Sequence, residues 1–115
     1  MSRDYSLYIK DIIICIERID EFIGTMSYTE LEQDDKTASA VIRKLEIIGE
    51  ATKCLPDIIT EKYPEIPWKD MARMRDKIIH FYFGVDIEII WNVVKNRLPE
   101  IKKMLQKILD TESKN

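Results

Sequence analysis

Apolar residues recur at helical spacing through most of the chain. In the first 26 residues they fall three or four positions apart, which is the period of a helix with one buried face. They are Tyr5, Tyr8, Ile9, Ile12, Ile13, Ile16, Ile19, Phe22, Ile23 and Met26. The pattern predicts one long amphipathic helix that ends near Gly24–Tyr28. Leu7, Ile14 and Cys15 widen the apolar surface beyond this stripe, which indicates burial on a second side, for example against another subunit.

A second helical stripe follows a polar stretch. Thr29–Asp35 is polar and acidic and is predicted to be a loop, with Asp34 or Asp35 as the cap of the next helix. The apolar positions of that helix are Val41, Leu45, Ile48, Thr52 and Leu55. Gly49 lies inside it, where glycine costs roughly 1 kcal/mol relative to alanine. We therefore predict that another backbone approaches closely at Gly49.

Prolines mark the starts of two further helices. Pro56 suits the first turn of a short third helix that runs to about Tyr63. The connector that follows contains two prolines, which hold the residues before them extended. The second of these prolines, Pro67, is predicted to open a fourth helix. Phe81–Gly84 is predicted to close this helix, with Gly84 as a left-handed cap.

The last stripe predicts a fifth helix capped by Asp86. Its positions are Ile87, Ile90, Trp91, Val94, Leu98, Ile101, Leu105 and Ile108. They keep their register across Pro99, which indicates a kink there. Thr111–Asn115 is expected to be a frayed tail. No period-2 alternation is present, so the sequence predicts an all-α bundle of five helices in one domain, residues 1–110.

Composition agrees with a single domain of long helices. The chain has 115 residues, of which 45% are hydrophobic, and only 3 Gly and 4 Pro are available for turns. The longest apolar run near the start, Ile12–Ile16, is too short to span a bilayer, and no signal peptide is evident. Cys15 and Cys54 are expected to be reduced core thiols, so we predict a cytoplasmic protein without a membrane partner.

Charge is distributed unevenly. The net charge of −3 argues against a general nucleic-acid coat protein. However, Glu17–Asp35 holds seven acids and one base, whereas Lys69–Lys77 holds four bases and two acids. An RNA phosphate would prefer the second segment. Charge alone favours the alternative, that both segments are ordinary solvated faces.

Arg75, His80 and Tyr82 are the strongest candidates for chemistry. They bring a permanent cation, a group that titrates near neutrality and a phenol into eight residues, which suits an anionic substrate that needs proton transfer. On an unbroken helix, Arg75 and His80 lie about 140° apart. They converge only if the helix ends at about His80 and the chain turns through Tyr82. The alternative is that this single histidine packs beside aromatic residues and has a structural role.

A carboxylate pair on the second helix is the next candidate. Glu46 and Glu50 lie at i and i+4, but no histidine or third carboxylate accompanies them. Solvated ion pairs with Lys53, Arg43 or a neighbouring helix are the expected use. We predict no metal site and no cofactor.

Several segments together resemble the HepT-like family of HEPN domains. Val41–Ala51 is similar to the family's second helix, and Tyr63–Trp68 to its proline-tryptophan connector. Met74–Asp86 resembles its Arg-x4-His-x-Tyr motif and the residues that follow. Trp91 and Leu98-Pro99 match its last helix. The resemblance covers most of residues 41–100 in the family's order.

This resemblance implies a homodimeric five-helix bundle with ribonuclease activity. It implies a metal-independent toxin that cleaves RNA, such as tRNA or mRNA, with Arg75 and His80 as the catalytic pair. A minimal nucleotidyltransferase of the MNT type would be the antitoxin and could attach AMP to Tyr82. The alternatives are a non-catalytic subunit that binds a nucleotide or substrate for that transferase, and a structural dimerisation domain.

Three further residues around the motif are candidates for substrate binding. They are Arg73, Asp76 and Lys77. The family often has Asn at the position of Asp76 and an acidic residue at that of Phe81. These departures leave both named catalytic groups in place and bear on substrate preference.

Overall fold

The computed structural model describes residues 4–80 and 86–113, with the side chains of residues 78–80 excepted. Within these residues every regular element is helical. The elements are α1 (Tyr5–Ile23), α2 (Tyr28–Gln33), α3 (Asp35–Lys53), α4 (Asp57–Lys62), α5 (Trp68–Ala72), α6 (Met74–His80), α7 (Ile87–Asn92), a π-helical segment (Val93–Arg97) and α8 (Leu98–Ser113). The predicted all-α bundle is confirmed, with more helical pieces than the five expected.

α1 is the long amphipathic helix predicted from the apolar period. The Asp4 carboxylate caps it by accepting a hydrogen bond from the Ser6 amide, 2.9 Å away. Gly24 ends it at a φ of +52°, a value that glycine adopts without steric cost. The buried face of α1 packs mainly against α3 and also against α8, so these three helices surround the core. The side chains that are wholly inaccessible there include Ile9, Ile12, Ile16, Ile19, Val41, Ile48 and Leu105.

The predicted loop Thr29–Asp35 is wrong over most of its length. Residues 28–33 form α2, which begins with a capping box. In this box the Ser27 hydroxyl accepts from the Glu30 amide, and the Glu30 carboxylate accepts from the Ser27 amide. Leu31 is fully buried and anchors the helix. Asp34 then caps α3, as the sequence predicted.

The predicted third helix is confirmed as α4, whereas the predicted fourth helix is divided. The connector after α4 is closed by the Trp68 indole, which donates a hydrogen bond to the Tyr63 carbonyl, 2.9 Å away. α5 then ends at Arg73, whose ψ of −7° interrupts the α-helical path before α6 begins. The predicted closure at Phe81–Gly84, with its Gly84 cap, lies outside the described residues.

The predicted fifth helix is present but contains a π-helical turn. Asp86 caps α7 by accepting from the Glu88 amide, 3.1 Å away. The Leu98 amide donates to the Val93 carbonyl, five residues back. Pro99 has no amide hydrogen to continue the α-helical ladder, and the widened turn before it accommodates that loss. The irregularity expected near Pro99 therefore falls one turn earlier, at Val93–Arg97.

α3 and the α5–α6 pair approach most closely at Gly49. A Cβ atom at this position would lie 3.2 Å from the Arg75 amide nitrogen and 3.3 Å from the Met71 carbonyl oxygen. Contacts this short with backbone atoms are tighter than usual, so a Cβ here would require the neighbouring helix to shift by a few tenths of an ångström. The predicted close approach at Gly49 is confirmed, and it fixes where α6 sits.

The last turn of α8 is ordered by the Glu112 carboxylate. It accepts hydrogen bonds from Lys62 Nζ at 2.8 Å, from Tyr5 Oη at 3.2 Å and from the Tyr63 hydroxyl. The predicted frayed tail is therefore wrong for residues 111–113, which are helical. The hydrogen bonds from Lys62 and then Tyr63 lower the pKa of Glu112 from its ordinary value of 4.5.

The structure bears on two further predictions, that no segment spans a membrane and that both cysteines are reduced core thiols. Among residues 4–80 and 86–113, no helix has a stretch long and apolar enough to cross a bilayer. Both cysteines are free, as predicted. Cys15 is buried, and that burial raises the pKa of its thiol. Cys54 is exposed at the end of α3, so it is not the core residue that was expected.

We expect Glu112→Gln to lower the melting temperature, because the substitution removes the charge that Lys62 and the two tyrosines bind. In the wild type, the stabilisation by the Glu112 carboxylate should also be lost in acid. Because the pKa of Glu112 is lower in the folded state, this stabilisation is complete above pH 4.5 and disappears as the pH falls through the folded-state pKa. Thermal unfolding followed by circular dichroism between pH 3 and 7 measures both effects.

Glu100→Gln is the matched control for this prediction. Glu100 is an exposed carboxylate on the same helix. Its substitution should leave the melting temperature and its pH dependence unchanged. Equal behaviour of the two variants would show that the Glu112 contacts do not stabilise the fold.

Gly49→Ala should destabilise the protein by on the order of 1 kcal/mol. Overpacking against two backbone atoms costs about 1–3 kcal/mol, and the gain in helix propensity returns about 1 kcal/mol. Urea unfolding measures the difference, with Ser39→Ala at an exposed position of α3 as the control. A Gly49→Ala protein more stable than the wild type would contradict the close approach.

Candidate active site

Arg75 lies at the start of α6, directly over the Gly49 contact. Its Nε atom is 3.6 Å from Oε1 of Glu50, the residue after Gly49 on α3. The two side chains are 46% and 44% exposed. The guanidinium is therefore partly held by a carboxylate on one side while solvent can reach it. A phosphate oxygen could bind its remaining N–H groups without a rearrangement of the backbone.

A second ion pair joins α6 to α3 beside the first. Lys53 Nζ is 3.7 Å from Oδ1 of Asp76, and both side chains are largely exposed. Pairs of this kind contribute about 0–1 kcal/mol each. Their main effect is to leave Asp76 facing a lysine of α3. In this geometry Asp76 balances the positive charge of Lys53, and its predicted role in substrate binding stays a prediction.

The carboxylates of α3 form ion pairs, as the sequence predicted. Glu46 contacts Arg43 within the helix, with 3.3 Å between Nη1 and Oε2, and Glu50 contacts Arg75. Lys53 pairs with Asp76, so it is not the partner of Glu50 that was among the expected ones. In the part of the chain that the structure describes, no group of three or more histidine, cysteine or acidic side chains is arranged to hold a metal ion.

The other two basic candidates, Arg73 and Lys77, take part in neither of these ion pairs. Arg73 is exposed at the junction of α5 and α6. Lys77 lines a cleft of about 500 Å³ between α5–α6 on one side and α7 with the π-helical segment on the other. Arg75 and Lys77 are two residues apart on a helix, which separates them by about 160° around its axis. They therefore serve different surfaces of α6.

His80 and Tyr82 can be located only in part. His80 is the last residue assigned to α6, so it shares a helix with Arg75. Its side chain, and all of residues 81–85, lie outside what the structure describes. The convergence of Arg75, His80 and Tyr82 therefore stays a prediction. Because residues five positions apart on one helix do not share a face, the three side chains can meet only if the chain turns after His80.

Sequence reasoning missed two parts of the site. One is the contact between Glu50 and Arg75, which are 25 positions apart; the adjacent Gly49 signalled an approach but not its partner. The other is the wall of the cleft opposite Lys77, which includes Asn92, Asn96 and Arg97. Pro99 indicated an irregular helix there, but no residue pattern predicted that the irregular turn would line a cleft.

Comparison with known proteins gives a consistent assignment. The family model described as ribonuclease HepT-like matches residues 12–108. A protein of Thermococcus cleftensis named "Probable ribonuclease HepT" is 47% identical over 108 residues, which cover 94% of this chain and 98% of that protein. A Methanocaldococcus jannaschii protein named as a putative RNase is 46% identical over 115 residues, 99% of this chain and 95% of that protein.

A third relative extends the assignment to another organism. A protein of Caldanaerobacter subterraneus subsp. tengcongensis, also named as a putative RNase, is 41% identical over 105 residues, 91% of this chain and 94% of that protein. No solved structure matches the chain at a significant level. The family match includes α3, α6 and the whole Arg75–Tyr82 segment. The chain therefore belongs to the ribonuclease HepT-like family, which confirms the family predicted from the sequence and the expectation of a ribonuclease.

Proposed function

We propose that this protein is a metal-independent endoribonuclease and the toxin of a two-component toxin–antitoxin pair. The observation that carries the proposal is membership of the ribonuclease HepT-like family across residues 12–108, a range that contains Arg75, His80 and Tyr82. Further support comes from the half-exposed Arg75 guanidinium at the surface of α6. The substrate is RNA, such as tRNA or mRNA, and the protein acts in the cytoplasm.

RNA supplies its own nucleophile, the 2′-hydroxyl. In the proposed reaction this oxygen attacks the adjacent phosphorus, the bond from phosphorus to the 5′-oxygen breaks, and the products are a 2′,3′-cyclic phosphate and a 5′-hydroxyl. His80 transfers protons, taking one from the attacking hydroxyl or giving one to the leaving oxygen. No step in this scheme requires a metal-bound water.

Arg75 binds the scissile phosphate and stabilises the charge that develops on it. A guanidinium can offer two parallel N–H groups to a phosphate, which an ammonium cannot. Glu50, at 3.6 Å from Nε, holds one side of the group and leaves the terminal nitrogens for the substrate. Arg73 adds a nearby positive charge that attracts RNA.

Two proton transfers with one histidine per chain suggest a homodimer. A two-fold axis that passes near His80 would bring two copies to one cleft, one as base and the other as acid. The apolar residues of α1 that remain exposed, Leu7, Ile14 and Phe22, are compatible with a further subunit contact.

The antitoxin in this proposal is a minimal nucleotidyltransferase that adds AMP to Tyr82. The modification places a bulky anion within eight residues of Arg75, where it competes with RNA for the same cation. Inhibition of the toxin then results from the charge and the bulk of the AMP group, and it needs no change of fold.

His80→Ala should abolish RNA cleavage with the fold retained, and Arg75→Ala should have nearly the same effect. Loss of general acid–base catalysis typically costs about 10²–10⁴-fold in rate. The assay uses purified protein on tRNA and mRNA, with product ends identified by mass spectrometry. EDTA should not change the rate, and DNA should resist cleavage because it lacks the 2′-hydroxyl.

Lys103→Ala, an exposed change on α8, is the control and should cleave as the wild type does. Expression of the wild-type chain alone should arrest growth, whereas the His80→Ala chain should not. Full activity of a folded His80→Ala protein would refute the catalytic assignment. Absence of both cleavage and growth arrest in the wild type would favour a non-catalytic partner of the transferase.

Co-production with the transferase should add the mass of AMP to Tyr82, as measured by intact-mass and peptide mass spectrometry. Tyr82→Phe removes the acceptor oxygen and should keep the toxin active in the presence of the transferase. If a neutralised complex contained unmodified Tyr82, inhibition would instead result from the partner covering the site.

A further inference from the structure

The cleft beside α6 is separate from the contact between Arg75 and Glu50. Its volume is about 500 Å³, within the range of about 300–1,000 Å³ that is typical of ligand sites. Lys77 of α6 lies on one wall and the π-helical segment on the other. π-helical turns within α-helices occur frequently at functional sites.

The floor of the cleft suits a flat apolar group. Leu45, Met71 and Ile90 are buried there, and Met74 extends the surface towards Lys77. Methionine sulfur makes favourable contacts with aromatic rings and adapts to their shape. A nucleobase is an aromatic ring of this kind, and single-stranded RNA exposes its bases for such contacts.

Polar groups on the far wall can recognise the edge of a base. Asn92 and Asn96 line the cleft one helical turn apart, and the Asn96 amide nitrogen is 3.4 Å from the Asn92 side-chain oxygen. Each amide keeps both donor and acceptor capacity beyond this long contact. Asparagine amides can form paired hydrogen bonds with base edges, which gives sequence preference.

The charges at the rim favour an anion. Lys77 and Arg97 lie on opposite walls, and neither forms an ion pair with another residue that the structure describes. Among the described residues, Asp70 is the only acidic one that lines the cleft. Phosphates of an RNA strand complement the two cations.

We propose that this cleft binds one nucleotide of the RNA substrate and sets its base preference. The base packs on Met74, which covers the buried Met71, Asn96 and Asn92 recognise its edge, and flanking phosphates contact Lys77 and Arg97. The inference rests on the proposed function for the identity of the ligand as RNA. It adds a specificity site, because Lys77 lies two residues after Arg75 and three before His80 on the same helix.

Binding can be measured without cleavage, which separates this inference from the nuclease proposal. The probes are short fluorescein-labelled 2′-O-methyl RNAs, one for each of the four bases, which lack the nucleophile. Fluorescence anisotropy with the full chain gives four affinities for each variant. Asn96, Arg97 and the control residue Lys103 are all exposed, so their substitutions should preserve the fold.

We expect the wild type to prefer one base. Asn96→Ala should reduce the ratio of the strongest to the weakest affinity on the order of tenfold, since a paired contact to one base is lost. Arg97→Ala should weaken binding to all four probes by about tenfold and make it less dependent on salt. Lys103→Ala should change each affinity by less than about twofold.

Three results would overturn the inference. They are equal affinities of the wild type and Asn96→Ala for every probe, equal effects of Arg97→Ala and Lys103→Ala, and a change of oligomeric state in the cleft variants by light scattering. The last would identify the cleft as a subunit contact. A wild type that shows the expected binding but leaves ordinary RNA intact would refute the nuclease proposal alone.

Discussion

The contact of α3 with α5 and α6 at Gly49 is the constraint on which the candidate site depends. The absence of a side chain at Gly49 lets the two helices approach this closely, since a Cβ there would lie only 3.2–3.3 Å from backbone atoms of Met71 and Arg75. The approach places Glu50 beside Arg75 and Lys53 beside Asp76. The close approach at Gly49 thus sets how near α6 lies to α3, and the weak surface ion pairs form where that packing brings the side chains together.

Most of the fold could be predicted because burial imposes a period on the apolar residues. α1, α3 and the last helical stretch all follow it. α2 was missed because Leu31 is its only buried side chain, although the pair of Ser27 and Glu30 is a capping box visible in the sequence. The break at Arg73 left no signal, since Met71 and Met74 on either side of it keep helical spacing.

The sequence offers candidate site residues, but it does not predict how they are arranged. Arg75 and Lys77 stand in one short basic segment, yet the structure directs one towards α3 and the other towards the cleft. Asp76, a candidate for substrate binding, faces Lys53 on α3. The partners that decide these roles, such as Glu50 and Arg97, lie on other helices. The spacing of residues along the chain does not show which helices will pack together, and only the tertiary structure shows this.

Glu112 connects the first helix to the last across 107 positions, through its contact with Tyr5. The same two helices also pack against each other in the core. Closing a loop this long costs conformational entropy, and contacts between residues distant in sequence slow folding. During synthesis α1 leaves the ribosome well before the helix that covers it, because the chain is made from its N-terminus. The core of this bundle therefore stays open until α8 has emerged.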